Sequence, residues 1–123
     1  MQTISRRLAA SVAALAGALA LSAPGWAAKP YPERPVTLVV GYAAGGATDI
    51  VARLVAKALN EELGQTIVVE NKTGANSNIG AEIVSRAAPD GYTLYVGSIA
   101  NTINRTLYSK LNYDFIKDFK PIG

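Results

Sequence analysis

Apolar runs along this chain come in two lengths. Short continuous runs stand at 36–40 (VTLVV), 66–70 (TIVVE) and 92–97 (YTLYVG). All three read as strands, and VTLVV, β-branched and without strict polar alternation, has the pattern of a strand covered on both faces. From Asp49 to Leu63 the period lengthens. Val51, Val55, Leu59 and Leu63 recur every four residues, and Ile50, Leu54 and Ala58 widen the stripe. Arg53, Lys57, Glu61 and Glu62 suit the wetter side. This predicts an amphipathic helix, capped by Thr48 or Asp49 and ended by Gly64. A second helix is predicted from Ser77 or Asn78 to about Ala88, with Ile79, Ile83, Val84 and Ala87 as its apolar face. Pro89, Asp90 and Gly91 then turn the chain. A third, short helix is predicted to start near Arg105.

Strands alternating with helices predict right-handed crossovers and a mainly parallel sheet, the α/β class. A polar loop follows each strand, at 41–48, 71–80 and 98–104. In a parallel sheet these loops share the edge beyond the strand carboxyl ends, where open α/β sheets bind ligands. The first loop offers Gly45, Gly46 and Thr48, the second Asn76, Ser77 and Asn78, and the third Ser98, Asn101, Thr102 and Asn104. These are neutral donors aimed at a common edge, the first two sets at helix starts, a chemistry that suits a small carboxylate. Asp49 would repel an anion, so it is assigned to loop support, together with Gly74.

The N-terminal segment changes the charge balance. Arg6 and Arg7 precede a nearly continuous apolar run from Leu8 to Ala23, which Pro24 and Gly25 break. The run is shorter than the roughly 20 residues of a membrane span and reads as a secretory signal peptide over 1–27. Cleavage is expected after Ala27, with small Gly25 and Ala27 at the cut, and no stable membrane insertion thereafter. Removing this segment leaves 96 residues, and the formal charge falls from +3 to +1 because two arginines leave and no acid does. That remainder lacks the basic footprint of a nucleic-acid binder. With neither cysteine nor histidine in the chain, disulfides are impossible and the usual zinc sites and imidazole bases are missing. GYAAGGATD is neither G-x-G-x-x-G nor a P-loop, and no G-x-S-x-G is present. The reading is of a binding protein rather than an enzyme, with no metal and no cofactor.

YPERPVTLVVGYAAGGATD, VVENKTGANSNIGAE and APDGYTL occur in order, and LYSKLNYDFIKDFKPIG follows. Over residues 31–123 the chain thereby resembles the substrate-binding proteins of the tripartite tricarboxylate transporter family, the Bug family. The resemblance implies a type II periplasmic binding protein fold, with residues 28–123 as the partial first lobe of a two-lobe protein. Its sheet would be three-layer α/β/α and its second lobe absent. It implies a small organic acid as ligand, membrane transporter subunits as partners and a periplasmic location. Carried over by position, Tyr42, Ala43 and Ala44 join Gly45, Gly46, Thr48, Asn76, Ser77, Asn78, Ser98, Asn101 and Thr102 as ligand contacts. Family members commonly carry proline and phenylalanine before the first glycine pair and histidine in the third loop, where this chain has Tyr42-Ala43-Ala44 and Asn101-Thr102. Those departures bear on which acid is bound. The alternatives are a ligand-sensing accessory of a signalling receptor, or a nonfunctional truncated fragment, since the chain stops just after FKPIG.

Overall fold

A computed structural model describes residues 30–123, so the signal segment expected at 1–27 lies outside the described residues. The elements follow in the order β1 (Val36–Val40), α1 (Ala47–Leu63), β2 (Ile67–Asn71), α2 (Asn78–Ser85), β3 (Thr93–Val96) and α3 (Ile99–Leu107). The three strands are parallel and lie in the order β2-β1-β3, with Leu38 level with both Val69 and Leu94. β1 is therefore central, and its Val36, Leu38, Val39 and Val40 are all buried.

The two crossovers put helices on opposite faces of the sheet. Right-handed connections that run from central β1 to one side, and then from β2 back past β1 to the other, require this. On one face, Leu38 and Val40 pack with Ala52 and Ala56 of α1, and Tyr42, Ile67, Val69, Leu94 and Val96 close around them. On the other face, α2 lies against β1 and β3 and next to α3. It approaches closely because of glycine: a Cβ on Gly80 would sit 3.0 Å from the Lys72 carbonyl and 3.2 Å from Gly41 Cα. The expected α/β/α layering is present, built on a partial parallel sheet.

Three local expectations need correction. The cap of α1 is Gly46, in extended conformation, so Thr48 and Asp49 lie within the first turn. Gly64 does end that helix, left-handed at φ 64°. The face of α1 against the sheet is Asp49, Ala52 and Ala56, whereas Ile50, Val51, Leu54 and Val55 are exposed. Small alanines win the sheet side because they let the helix lie close; the large apolar stripe points away from it. Second, α2 ends at Ser85 rather than near Ala88, and it buries Asn78, Gly80 and Ala81 while Ile79 and Ile83 stay exposed. Third, α3 begins at Ile99, so Asn101, Thr102 and Asn104 stand on a helix and not in a loop.

Candidate functional site

All three strand-end loops meet above the carboxyl end of β1. The chain leaves β1 toward one face and β3 toward the other, which opens a crevice between these neighbouring strands, the usual ligand position in open α/β sheets. Tyr42 of the first loop and Ser98 of the third span it with a hydroxyl–hydroxyl hydrogen bond of 2.8 Å. The second loop crosses over the same point. A Cβ on Gly41 would lie 2.7 Å from Ser77 Cβ, so only glycine lets that loop descend onto β1.

The first loop is shaped by Asp49. Its carboxylate accepts hydrogen bonds from the Gly45 N–H (2.8 Å), Arg53 Nε (2.9 Å) and Asn71 Nδ2 (2.8 Å). Asn71 Nδ2 also reaches the Tyr42 carbonyl at 2.9 Å. The Arg53 guanidinium first, then the Gly45 amide and the Asn71 amide, hold the Asp49 carboxyl far below the usual carboxylate range. The Asp49 carboxylate is thus fully engaged by its own loop and its neighbours Arg53 and Asn71. Gly45 takes φ +82°, a conformation costly for other residues. Ala43, Ala44, Gly45 and Gly46 are exposed, and Thr48 is half-buried. At the start of α1, the N–H groups of Ala47 and Thr48 are among those a helix leaves without an intrahelical acceptor.

The second loop holds Gly74 at φ 131° and then three successive left-handed residues, Ala75, Asn76 and Ser77, at φ 46°, 53° and 74°. Asn76 is exposed, but Ser77 and Asn78 are buried. Ser77 does not cap α2 with its side chain. Its hydroxyl makes a short hydrogen bond with the Tyr95 hydroxyl instead. Asn78 Oδ1 accepts from Asn104 Nδ2 (2.8 Å) and from the Tyr113 hydroxyl (2.7 Å).

In the third segment, Asn101 reaches back to accept the Ser98 N–H at 2.9 Å, as a capping residue does. Its Nδ2 donates to the Tyr95 hydroxyl at 3.0 Å. Burial pushes the Tyr95 hydroxyl up from its ordinary 10, against the opposing hydrogen bonds from Ser77 and Asn101. Asn101 is wholly buried, whereas Thr102, its neighbour, is exposed. The side chains of Tyr42, Asn76, Ser98 and Thr102, with the backbone of residues 43–46, therefore remain at the open edge. Ser77, Asn78 and Asn101 are turned inward.

Sequence reasoning missed Asn71 and Tyr95 as organisers of these loops and read Asn104 as a loop donor, whereas it bonds Asn76 and Asn78. Tyr95 and Asn71 carried a usable signal: each sits at or next to a strand's carboxyl end, where a polar group meets the loops. Segments 41–48, 73–78 and 97–102 contain no acidic or basic residue, and Lys72, which precedes the second of them, pairs with Glu70 at 3.1 Å. Among the described residues, no group of three or more carboxylates could hold a metal, and no helix is long and apolar enough to cross a membrane.

A parallel sheet with a crevice at its carboxyl edge, fed by three helix N-termini, is an open α/β architecture that this chain shares with solved periplasmic binding proteins. Solved structures agree. The periplasmic binding protein BugD superposes with a TM-score of 0.73 at 47% identity, over 76% of this chain and 31% of that one. MatC from Rhodopseudomonas palustris, solved with bound malate, gives 0.72 at 45% identity, over 75% and 32%. Another R. palustris protein, solved with adipate, gives 0.66 at 42% identity, over 68% and 28%.

Residues 51–123 match the tripartite tricarboxylate transporter family receptor model, and the chain belongs to that family. It is 44% identical over 116 residues to a Cupriavidus necator protein encoded in the gbd 5′ region, covering 92% of this chain and 35% of the relative. It is 34% identical to BugT of Bordetella pertussis, covering 95% and 36%. The chain thus spans about a third of the length of the curated relatives it matches. The family is one of solute-binding proteins, not enzymes.

Proposed function

We propose that residues 28–123 are the first part of one lobe of a two-lobe periplasmic solute-binding protein, which captures a small organic carboxylate and passes it to membrane transporter subunits. Residues 1–27 are the export signal, removed in the periplasm. One observation carries the reading: three helices begin at a single sheet edge whose residues 41–48, 73–78 and 97–102 hold no charged side chain, the nearby Lys72 being paired with Glu70 at 3.1 Å. Such an edge stabilises a carboxylate through N–H groups and helix dipoles, with no metal and no buried cation. The relatives solved with malate and adipate support a dicarboxylate as the ligand.

In this reading the acid meets Tyr42, Thr48, Asn76, Ser98, Thr102 and the backbone of Ala43, Ala44, Gly45 and Gly46. Ser77, Asn78 and Asn101 shape the edge from within, since their side chains are buried. Closure of a second lobe over the acid excludes water and favours the closed state by the ligand's differential affinity.

The test is calorimetry on the full-length exported protein with malate, adipate and the neutral diamide of malate. Binding of at least one diacid, with the diamide bound at least about tenfold more weakly, is expected. Equal binding of acid and diamide, or no binding of either acid, overturns the reading.

A further inference from the structure

Three consecutive left-handed residues that are not glycine, Ala75, Asn76 and Ser77, form a backbone that L residues rarely hold by themselves. Such a run persists only where its surroundings over-determine it. Here the determinants come from β3 and α3, elements distant in sequence. Asn104 grips Asn76 twice. Its Nδ2 donates to the Asn76 carbonyl at 2.8 Å, and its Oδ1 accepts from Asn76 Nδ2 at 2.8 Å. The same Nδ2 donates to Asn78 Oδ1, also at 2.8 Å. Reversing the Asn104 amide would set donor against donor and acceptor against acceptor, so its partners fix its orientation. Tyr95 holds the next residue, through hydrogen bonds to the Ser77 hydroxyl and, at 3.1 Å, the Ser77 carbonyl.

Asn101 and Asn104 lie three residues apart, on one face of α3. Both are fully buried, while the apolar Ile99, Ile103 and Leu107 of the same helix are exposed. A helix that buries amides and exposes isoleucines gains little from burial there. Its inward face sets the geometry of its neighbours.

We propose that Asn104 and Tyr95 are positioning residues for the ligand site, locking the Ala75–Ser77 run left-handed before ligand arrives and making the second loop and the start of α3 one rigid unit. The role in binding rests on the carboxylate reading above; the lock itself does not. Without the lock, only a fraction of molecules carries a competent second loop. Apparent affinity falls by that fraction, through slower association, while dissociation from the correctly formed complex is unchanged. Loss of a direct contact would instead speed dissociation.

The test uses the full-length exported protein with Asn104→Ser and, separately, Tyr95→Phe, which keeps the ring against Phe115 and Phe119. Amide hydrogen exchange is read without ligand at Asn78, bonded to the Ala75 carbonyl at 3.1 Å, and at Ala81, bonded to the Ser77 carbonyl at 3.2 Å. Both amides should exchange at least about tenfold faster in each variant that folds, with the central β1 amides unchanged. Stopped-flow mixing with malate, or with adipate if malate does not bind, should show association slowed by about tenfold and dissociation unaltered. Unchanged exchange at Asn78 and Ala81 overturns the lock. Faster dissociation at unchanged association overturns the positioning role. If neither acid binds the unaltered protein, the carboxylate reading fails, and exchange alone decides the lock.

Discussion

Gly41→Ala probes the point where all three loops meet. The added methyl carbon would lie 2.7 Å from Ser77 Cβ and 3.0 Å from Ser77 Cα. Rotating the serine side chain relieves neither contact, because Cα belongs to the backbone. The second loop must lift off β1, which strains the close seat of Gly80 on Gly41 and stretches the Ser77–Tyr95 hydrogen bond. Overpacking costs about 1–3 kcal/mol and a lost hydrogen bond about 1, so a destabilisation of about 2–4 kcal/mol is expected. Ser77→Gly supplies the cross-check. It deletes the clashing Cβ and suits φ 74°, at the loss of one hydrogen bond. By itself it should shift stability by no more than about 1 kcal/mol. Combined with Gly41→Ala it should recover at least about 1 kcal/mol of the loss. The assay is urea unfolding of the four proteins, with the slope checked for constancy. A Gly41→Ala protein within about 0.5 kcal/mol of the parent, or a strictly additive double variant, would refute the steric argument.

Further outcomes follow from the same contacts. The Asp49 carboxyl is held well below its unfolded value of 3.8, so its contribution is present above that pH and is lost as pH falls below it. Asp49→Asn should flatten acid unfolding below pH 3.8 in a denaturant titration series, and an unchanged acid profile would remove Asp49 from the account. Ser98→Ala combined with Thr102→Ala should weaken malate or adipate binding by about fivefold or more, through loss of hydroxyls at the crevice; unchanged calorimetric affinity would strike both from the site. The outward stripe Ile50, Val51, Leu54 and Val55 should make residues 28–123, produced alone, self-associate. Leu54→Lys should then shift sedimentation toward monomer, and a parent piece that is already monomeric would count against that surface.

Much of the fold was legible before any coordinates. The run VTLVV reads as a strand buried on both sides, and β1 occupies the same five residues. Gly64 reads as a helix stop and sits there left-handed. The three polar loops read as one edge because parallel strands put every following loop at the same end. Local signals failed where a distant partner outweighed them. IANTIN reads as a loop because asparagine and threonine are poor helix formers. It forms a helix whose Asn101 and Asn104 find buried partners in Tyr95, Asn76 and Asn78. The face of α1 was assigned from its large apolar residues, whereas close packing selected Ala52 and Ala56.

The sequence by itself determined the strand and helix order, the parallel sheet and the neutral donors of the strand-end loops. These depend on local period and on chain direction, which one strand of residues contains in full. Only the tertiary structure decided which polar side chains face the crevice and which are locked beneath it. Asn76 and Ser77 are neighbours of similar chemistry, yet one is exposed and the other buried. Their difference comes from Gly41, Tyr95 and Asn104, which reach them only once the strands are side by side and α3 lies against α2.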